Sequence, residues 1–193
     1  MPERKTDARV RFTKLMIRNS FVALLKEKGQ AKITVTDICS LAGINRATFY
    51  AHYKNPSDLM ENLENELLDN ILCIMKKSES GNIKELSRIL PEIISYVKSE
   101  ADLCLVLMSD LTDGGFVMRF LLLLEERFVG RWTADGSVPP ELANQLFLFG
   151  AMGSVGLLRR WLILGCPQSP EYMAGLIITL YNSGASAVTF PAG

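Results

Sequence analysis

The sequence contains few of the residues from which enzymatic and metal sites are usually built. It has one histidine, His52, and its four cysteines (Cys39, Cys73, Cys104 and Cys166) are not spaced as metal ligands or as a disulfide framework. A nucleophilic site that pairs Ser or Cys with His would have to form around His52. We therefore expect no enzyme, no metal site and no cofactor, and we expect reduced thiols of the kind found in cytoplasmic proteins.

Long apolar runs are also missing. The longest, Leu146 to Leu158, contains three glycines and a serine and ends at Arg159-Arg160. Because it is shorter than the roughly 20 residues that span a membrane, we expect no membrane segment. Alternating strand patterns are nearly absent, whereas helical spacing of apolar residues recurs along the chain. The sequence therefore predicts an all-α protein of about nine helices.

The net charge is zero, but the charges are segregated along the chain. Residues 1–56 contain eleven Lys or Arg and four Asp or Glu, whereas residues 57–193 contain ten and seventeen. A solvated charged surface would not by itself produce this separation. It predicts a basic head that binds a polyanion and an acidic body, so we place the domains at 1–56 and 57–193.

The stretch from Ile33 to Lys54, ITVTDICSLAGINRATFYAHYK, predicts two short helices joined by a glycine turn. Thr34 or Thr36 can cap the first helix, and Gly43 can take the left-handed conformation that ends it. The apolar face of this helix has members at positions i, i+3, i+4 and i+7: Val35, Ile38, Cys39 and Ala42. We expect this face to be buried.

The second helix of this stretch begins at Asn45, a good capping residue, and Ile44 and Phe49 are placed as a hydrophobic staple. Phe49 and Tyr53 should point inward. Steps of four residues should place one polar set on an outer face: Arg46, Tyr50 and Lys54. A short helix, a glycine turn and a second helix with a polar outer face form the helix-turn-helix pattern.

This stretch resembles the DNA-binding motif of TetR/AcrR-type transcriptional regulators. ATFYAHYKNPSDL is similar to the recognition helix of that family and the turn after it. The resemblance implies a homodimeric, cytoplasmic and nucleoid-associated bacterial repressor, released from DNA by a small ligand. Its recognition helices would enter successive major grooves of a near-palindromic operator, about 34–36 Å apart.

Position in the motif and side-chain chemistry assign roles to the DNA-binding residues. Base readout falls to Arg46, whose planar fork suits guanine, and to Ala47, which can contact a thymine methyl. The predicted phosphate-binding residues are Thr34, Thr36, Thr48, Tyr50 and Lys54. Asn45 is also among the predicted DNA-binding residues. His52 is either a phosphate contact or a packed ring. Family members often carry Gly at the position of Ala47, so base preference is not transferable.

Asn55-Pro56-Ser57-Asp58 is a helix start signal, with a capping residue, Pro at the first helical position and an acid at the third. The helix that it opens corresponds to the long fourth helix of the family, which joins the head to the ligand-binding and dimerisation body. Pro91 lies within the apolar stripe of the fifth helix. We expect it to kink or split that helix.

Glycines in the eighth helix indicate close helix packing. Gly150, Gly153 and Gly156 each cost about 1 kcal/mol of helix stability, which suggests that a close approach compensates. FLFGAMGSVGLLRRWLILGCPQSPEYMAGL also resembles, more loosely, the regulator subgroup that includes an activator of dihydroxyacetone kinase genes. In TetR-like proteins the last two long helices form the dimer interface, which implies these interface residues: Gly150, Gly153, Ser154, Leu157, Trp161, Met173, Leu176, Ile177 and Leu180.

The resemblance further implies a ligand cavity in the body, between helices four and eight. The residues that we expect to line it are Leu67, Ile71, Ile93, Tyr96, Val97, Met108, Phe116, Phe120 and Phe147. These side chains form no charged cluster, so we expect a neutral or weakly polar hydrophobic ligand. Two alternatives stay open: a TetR-like regulator controlled by a protein partner, and a helical ligand-binding protein that does not bind DNA.

Overall fold

The computed structural model describes residues 3–77, 83–109, 115–134 and 139–187, and the described residues form nine α-helices and one short 3-10 helix. No β-strand lies in these ranges, and the all-α prediction is confirmed. In chain order the helices are α1 (Glu3–Lys28), the 3-10 helix (Gln30–Lys32), α2 (Val35–Ala42), α3 (Arg46–Tyr50), α4 (Pro56–Met75), α5 (Ile83–Ser99), α6 (Ala101–Leu107), α7 (Gly115–Trp132), α8 (Pro140–Ile163) and α9 (Pro170–Ala187).

The described residues up to Asp69, together with those from Val106 to Ser109, form one compact unit, the head unit. Within it, α1 packs on α2 and α2 packs on α3. The fully buried apolar side chains at its centre are Ile17, Phe21, Leu25, Ile38, Phe49 and Leu59. On the predicted apolar face of α2, three residues are buried, whereas Val35 is only half-buried. The head unit thus has an apolar core of its own.

The described residues from Asn70 to Leu105 and from Gly115 onward form a second compact unit, the body unit. Here α5 packs against α9, and α8 packs against both α7 and α9. Pro91 lies inside α5, which continues as one helix from Ile83 to Ser99, so the predicted alternative of a split helix is wrong. Ile89, Ile93 and Ile94 are buried on either side of the proline. Their packing offsets the backbone hydrogen bond that proline removes.

The helix α4 is continuous from the head unit into the body unit, because the division between the two units falls after Asp69. Its predicted start is confirmed: Asn55 Oδ1 accepts the Asp58 N–H at 2.8 Å, and the Asp58 carboxylate accepts the Lys54 N–H at 2.8 Å. Towards its end, Met75 is buried and Ile74 is not. The division of the chain at residues 56 and 57 remains a prediction about its functional domains.

The connection between α8 and α9 is short and hydrogen-bonded. Gly165 has φ of 77° and Cys166 has φ of 57°, so two successive residues take the left-handed conformation that ends a helix. Trp161 Nε1 donates to the Gln168 carbonyl at 3.2 Å, and Ser169 Oγ accepts the Tyr172 N–H at 3.2 Å. This turn therefore fixes α8 and α9 relative to each other within the body unit.

Candidate nucleic-acid interface

A capping network fixes the start of α2. The Thr34 hydroxyl oxygen accepts the Asp37 N–H at 3.2 Å, and Asp37 Oδ2 accepts the Thr34 N–H at 2.9 Å, which together form a capping box. Asp37 Oδ2 also accepts the Thr34 O–H at 2.7 Å and lies 3.0 Å from Lys28 Nζ at the end of α1. The ion pair joins α1 to the first turn of α2, so Lys28 is a positioning residue. The sequence analysis missed it. The spacing of Thr34 and Asp37 is that of a capping box, and this signal could have revealed Asp37, the partner of Lys28.

Asp37 has a strongly lowered pKa. Hydrogen bonds from the Thr34 N–H and O–H and the ion pair with Lys28 lower the pKa of Asp37 from 3.8 to about 2. A carboxylate whose pKa is lowered by folding stabilises the native state above its unfolded pKa. This stabilisation is lost as the pH falls through the folded value. The relevant window is therefore pH 4 to 2.

We expect Asp37→Asn to lower the melting temperature at neutral pH, and the difference from the wild type to shrink as the pH falls from 4 to 2. Thermal unfolding followed by circular dichroism across this range measures the effect. Lys28→Gln, which removes only the ion pair, should show the same convergence with a smaller amplitude. A difference between wild type and Asp37→Asn that stays constant from pH 7 to pH 2 would contradict this account.

The turn and the second cap have the predicted geometry. Gly43 has φ of 65° and ψ of 33°, a left-handed conformation that favours glycine, and it ends α2. Asn45 Oδ1 accepts the Thr48 N–H at 2.8 Å and the Thr48 O–H at 3.0 Å, so Asn45 caps α3. Phe49 is fully buried and Tyr53 is buried, as the sequence predicted. These contacts orient the exposed side of α3.

The exposed side of α3 presents Arg46, Ala47 and Tyr50, of which Tyr50 is 51% exposed. The helix is shorter than the sequence suggested, because it ends at Tyr50 and turn residues follow. Lys54 therefore does not continue the helical face of Arg46 and Tyr50, which corrects that prediction. Its side chain is exposed, while its backbone N–H belongs to the cap of α4. His52 is half-buried, with its ring centre 6.3 Å from that of Tyr53.

Two of the residues predicted to bind phosphate already donate their hydroxyl protons to other side chains of the protein. The Thr34 O–H points at Asp37, and the Thr48 O–H points at Asn45. A phosphate needs donors, so these two threonines act first as caps. The exposed donors that remain on the predicted DNA-binding set are the Asn45 Nδ2 amide and the side chains of Thr36, Tyr50, Arg46 and Lys54. Among the described residues, no group of three or more His, Cys, Asp or Glu could hold a metal ion.

The body unit contains a cavity of about 170 Å³. Among the described residues, 17 line it, and none of them is charged. The lining residues come from α4, α5, α7, α8 and α9: Ile71, Met75, Leu86, Leu90, Ile93, Phe120, Leu121, Leu124, Phe147, Gly150, Ala151, Ser154, Val155, Leu158, Ile177, Ile178 and Tyr181. The hydroxyl of Ser154 donates to the Gly150 carbonyl at 2.7 Å, so the wall is almost wholly apolar.

The cavity corrects part of the predicted lining. Four predicted residues border it: Ile71, Ile93, Phe120 and Phe147. Five others do not: Leu67, Tyr96, Val97, Met108 and Phe116. Leu67 and Met108 belong to the head unit, Val97 and Phe116 are buried core, and Tyr96 accepts a hydrogen bond from the Asn70 amide at 2.9 Å. The sequence does not distinguish core from cavity wall, because both are apolar.

The predicted dimer interface also needs revision. Trp161, Met173 and Ile177 are 2%, 4% and 8% exposed within a single chain, so their side chains are not available to a second copy. Gly150 and Ser154 line the cavity instead. Gly153 and Leu180 are exposed, and Leu157 and Leu176 are half-buried, so these four keep their predicted role as a hypothesis.

The helices α8 and α9 also expose apolar side chains outside the predicted dimer interface, namely Leu148, Phe149 and Met152 on α8 and Tyr172 on α9. Phe149 is 76% exposed. In length and composition α8 is also, among the described residues, the one helix that could cross a membrane, and only 17% of its most apolar window is buried. This chain therefore presents a large apolar surface.

The capped helix-turn-helix and the all-α fold define a helix-turn-helix DNA-binding regulator. The chain belongs to the TetR family of bacterial transcription regulators. Residues 21–63 match the family model for bacterial regulatory proteins of the tetR family, and residues 84–183 match that for the transcriptional regulator C-terminal region. The predicted family is thus confirmed.

Individual relatives support the same assignment. The HTH-type transcriptional regulator YxbF of Bacillus subtilis is 33% identical over 102 residues, which make up 50% of this chain. The match spans only 27% of the length of that relative. The TetR transcriptional regulator of Streptococcus agalactiae is 26% identical, with 93% of this chain and 98% of that one covered and a TM-score of 0.60.

Two further solved structures share the fold at 17% identity. The dihydroxyacetone kinase operon activator DhaS has a TM-score of 0.59, with 92% of this chain and 98% of that one covered. The regulator FadR of Bacillus subtilis, solved in complex with stearoyl-CoA, has a TM-score of 0.62, with 88% and 98% covered. At this identity the two structures establish the fold alone.

Proposed function

We propose that the protein is a homodimeric, cytoplasmic repressor that binds a near-palindromic operator and is released by a small hydrophobic ligand. The observation that carries the proposal is the capped helix-turn-helix, whose α3 exposes Arg46, Ala47 and Tyr50. The basic residues of the first 56 positions surround this motif in sequence and would attract the DNA backbone.

Each exposed residue of the motif has a distinct proposed role. Arg46 reads a guanine through its paired N–H donors, and Ala47 contacts a thymine methyl. Thr36, Tyr50 and Lys54 bind phosphates, which positions α3 without specifying sequence. Three further residues hold the geometry of the motif and act on DNA through it: Thr34, Asn45 and Thr48. The half-buried His52 packs beside Tyr53.

Dimerisation supplies the second head. We propose that the exposed apolar surface of α8 and α9 is covered by the same surface of a second copy, as the two-fold symmetry of most homodimers requires. Gly153 suits this role because a Cβ built on it would meet nothing within 4 Å, so its backbone is open to a neighbouring helix. Pairing would bring two recognition helices to successive major grooves about 34–36 Å apart.

The cavity is the proposed ligand site. A charged molecule would lose its hydration there without gaining a charged partner, so the lining favours an uncharged apolar ligand. Ile71 and Met75, in the last turns of α4, border the cavity, and the same helix begins beside the helix-turn-helix. A coupling of about 1–3 kcal/mol would change operator affinity 5- to 150-fold.

We expect uncharged apolar compounds to raise the melting temperature of the protein in a thermal-shift screen. A compound at 100 times its dissociation constant would raise it by about 5–10 °C, because it binds the native state alone. Ala151→Leu, which places extra atoms in the cavity wall, should reduce the shift while leaving the helical circular dichroism intact. Stabilisation by strongly anionic or polycationic compounds alone would count against this ligand class.

The test of repression is transcription in vitro from a template that carries the DNA flanking the gene of the protein. We expect added protein to reduce transcript yield and a stabilising apolar compound to restore it. Release only on addition of a cell extract from which small molecules have been removed would favour control by a protein partner. Stabilisation by apolar compounds without any DNA binding would favour the helical ligand-binding alternative.

A further inference from the structure

The Tyr181 ring of α9 lies close to the backbone of α8 at Gly150. A Cβ atom built on Gly150 would lie 2.5 Å from Tyr181 Cδ2 and 2.7 Å from Cε2. Ordinary contacts between carbon atoms are about 3.5–4.0 Å long, so no other residue fits at position 150 with the ring in this place. The glycine thus allows the ring to lie directly against the backbone of α8.

The same ring forms part of the cavity wall. Gly150 and Tyr181 both line the cavity, together with Ala151 and Ser154 on the same stretch of α8. Burial raises the pKa of Tyr181 to about 12, so its phenol stays neutral at physiological pH and adds no charge to the wall. Tyr181 therefore contributes bulk to this wall.

We propose that Tyr181, held against α8 by Gly150, sets the upper size limit of the ligand that the cavity accepts. The proposal rests on the ligand-binding part of the proposed function and names a specificity-determining residue for it. At about 170 Å³ the cavity is close in size to an engineered apolar cavity of about 150 Å³ that binds benzene. The cavity is partly open, and a larger molecule that is to be buried in it, rather than to extend through its open side, needs the space that the ring occupies. The proposed ligand class is therefore a small, uncharged, apolar molecule of roughly one-ring size.

The choice of Tyr181 follows from its surroundings. Phe147, another ring on the wall, is 6% exposed and belongs to the buried core, so removing it would disturb the packing of the body unit. Tyr181 is only half-buried, and its ring lies against the backbone of α8 at Gly150. Its replacement by a smaller residue therefore enlarges the cavity and removes a less deeply buried side chain than the replacement of Phe147 would.

The experiment compares binding of two uncharged aromatic probes, benzene and naphthalene, to the full-length wild type and to Tyr181→Ala and Tyr181→Phe. Affinities are measured by titration calorimetry. We expect Tyr181→Ala to shift the preference toward naphthalene by about 10- to 200-fold, the range over which apolar pockets discriminate by size. Tyr181→Phe keeps the ring and should keep the wild-type preference, which separates ring bulk from the hydroxyl.

A second measurement checks the contact independently of any probe. Gly150→Ala should lower the melting temperature in the wild type, because the new Cβ collides with the ring. In the Tyr181→Ala background the same change should no longer be destabilising. Folded Tyr181→Ala protein with an unchanged probe preference would overturn the proposal. Failure of both probes to bind any variant would overturn it together with the ligand part of the proposed function, while the DNA-binding part would stand.

Discussion

Replacement of Gly153 by Leu is expected to shift the protein from dimer toward monomer. Gly153 is exposed on α8, beside Phe149 and Met152, and nothing lies within 4 Å of the position that a Cβ would take. If a second copy covers this surface, a leucine there separates the paired helices. Overpacking costs about 1–3 kcal/mol per site, and a two-fold interface contains the site twice. A cost of about 2–6 kcal/mol weakens the dimer by more than tenfold.

Sedimentation velocity at micromolar concentrations measures this shift. Gly130→Leu is a matched control, because Gly130 is also an exposed helical glycine with nothing within 4 Å, but it lies on α7. It should leave the dimer intact. A wild-type protein that is monomeric at tens of micromolar would contradict the proposed interface, as would cosedimentation of the monomer with lipid vesicles through α8.

Substitutions on the exposed side of the helix-turn-helix should separate affinity from sequence preference. Lys54→Ala should weaken binding to all DNA sequences alike and reduce the slope of log K against log salt by about 0.9 per head, because one phosphate contact is lost. Arg46→Ala should cost about 1–3 kcal/mol on the preferred operator and relax preference at one base in each half-site. Both side chains are exposed and neither caps a helix.

Fluorescence anisotropy titrations with operator and scrambled duplexes at several salt concentrations measure both effects. Lys76→Ala is the matched control for Lys54→Ala, since Lys76 is an exposed lysine that follows α4 in the body unit. Its salt slope should equal that of the wild type. If Lys54→Ala shows the wild-type slope and Arg46→Ala the wild-type base preference, the proposed contacts are wrong.

The geometry of the helix-turn-helix could be predicted because its signals are local. Thr34, Gly43 and Asn45 each fix the backbone within three or four residues, and the structure has a cap at Thr34, a left-handed turn at Gly43 and a cap at Asn45, as the sequence suggested. The capping partners Asp37 and Thr48 were not predicted. The error at Lys54 arose because the helical spacing of residues 46, 50 and 54 was extended beyond Tyr50. Beyond Tyr50, the Lys54 N–H donates to the Asp58 carboxylate and so belongs to the cap of α4. The spacing of residues along a helix does not show where the cap of the following helix ends it.

The body unit was less predictable because its apolar residues can face three environments. Trp161 is in the core, Phe149 faces outward and Ile178 faces the cavity, yet all three lie on apolar segments of α8 or α9. Only the packing of α5, α7, α8 and α9 against one another distinguishes them. Tyr181 was missed for the same reason, because its contact with Gly150 joins residues far apart in sequence.

The most direct measurement of the central claim is the affinity of the wild-type protein for the DNA that flanks its own gene, compared with a scrambled duplex, between 50 and 200 mM salt. A dimer that makes about 6–10 phosphate contacts should lose roughly 10³- to 10⁵-fold in affinity over this range. At each salt concentration it should bind the flanking DNA at least about 10³-fold more tightly than the scrambled duplex. Affinity that does not change with salt, or equal affinity for the two duplexes, would contradict a sequence-specific DNA-binding regulator.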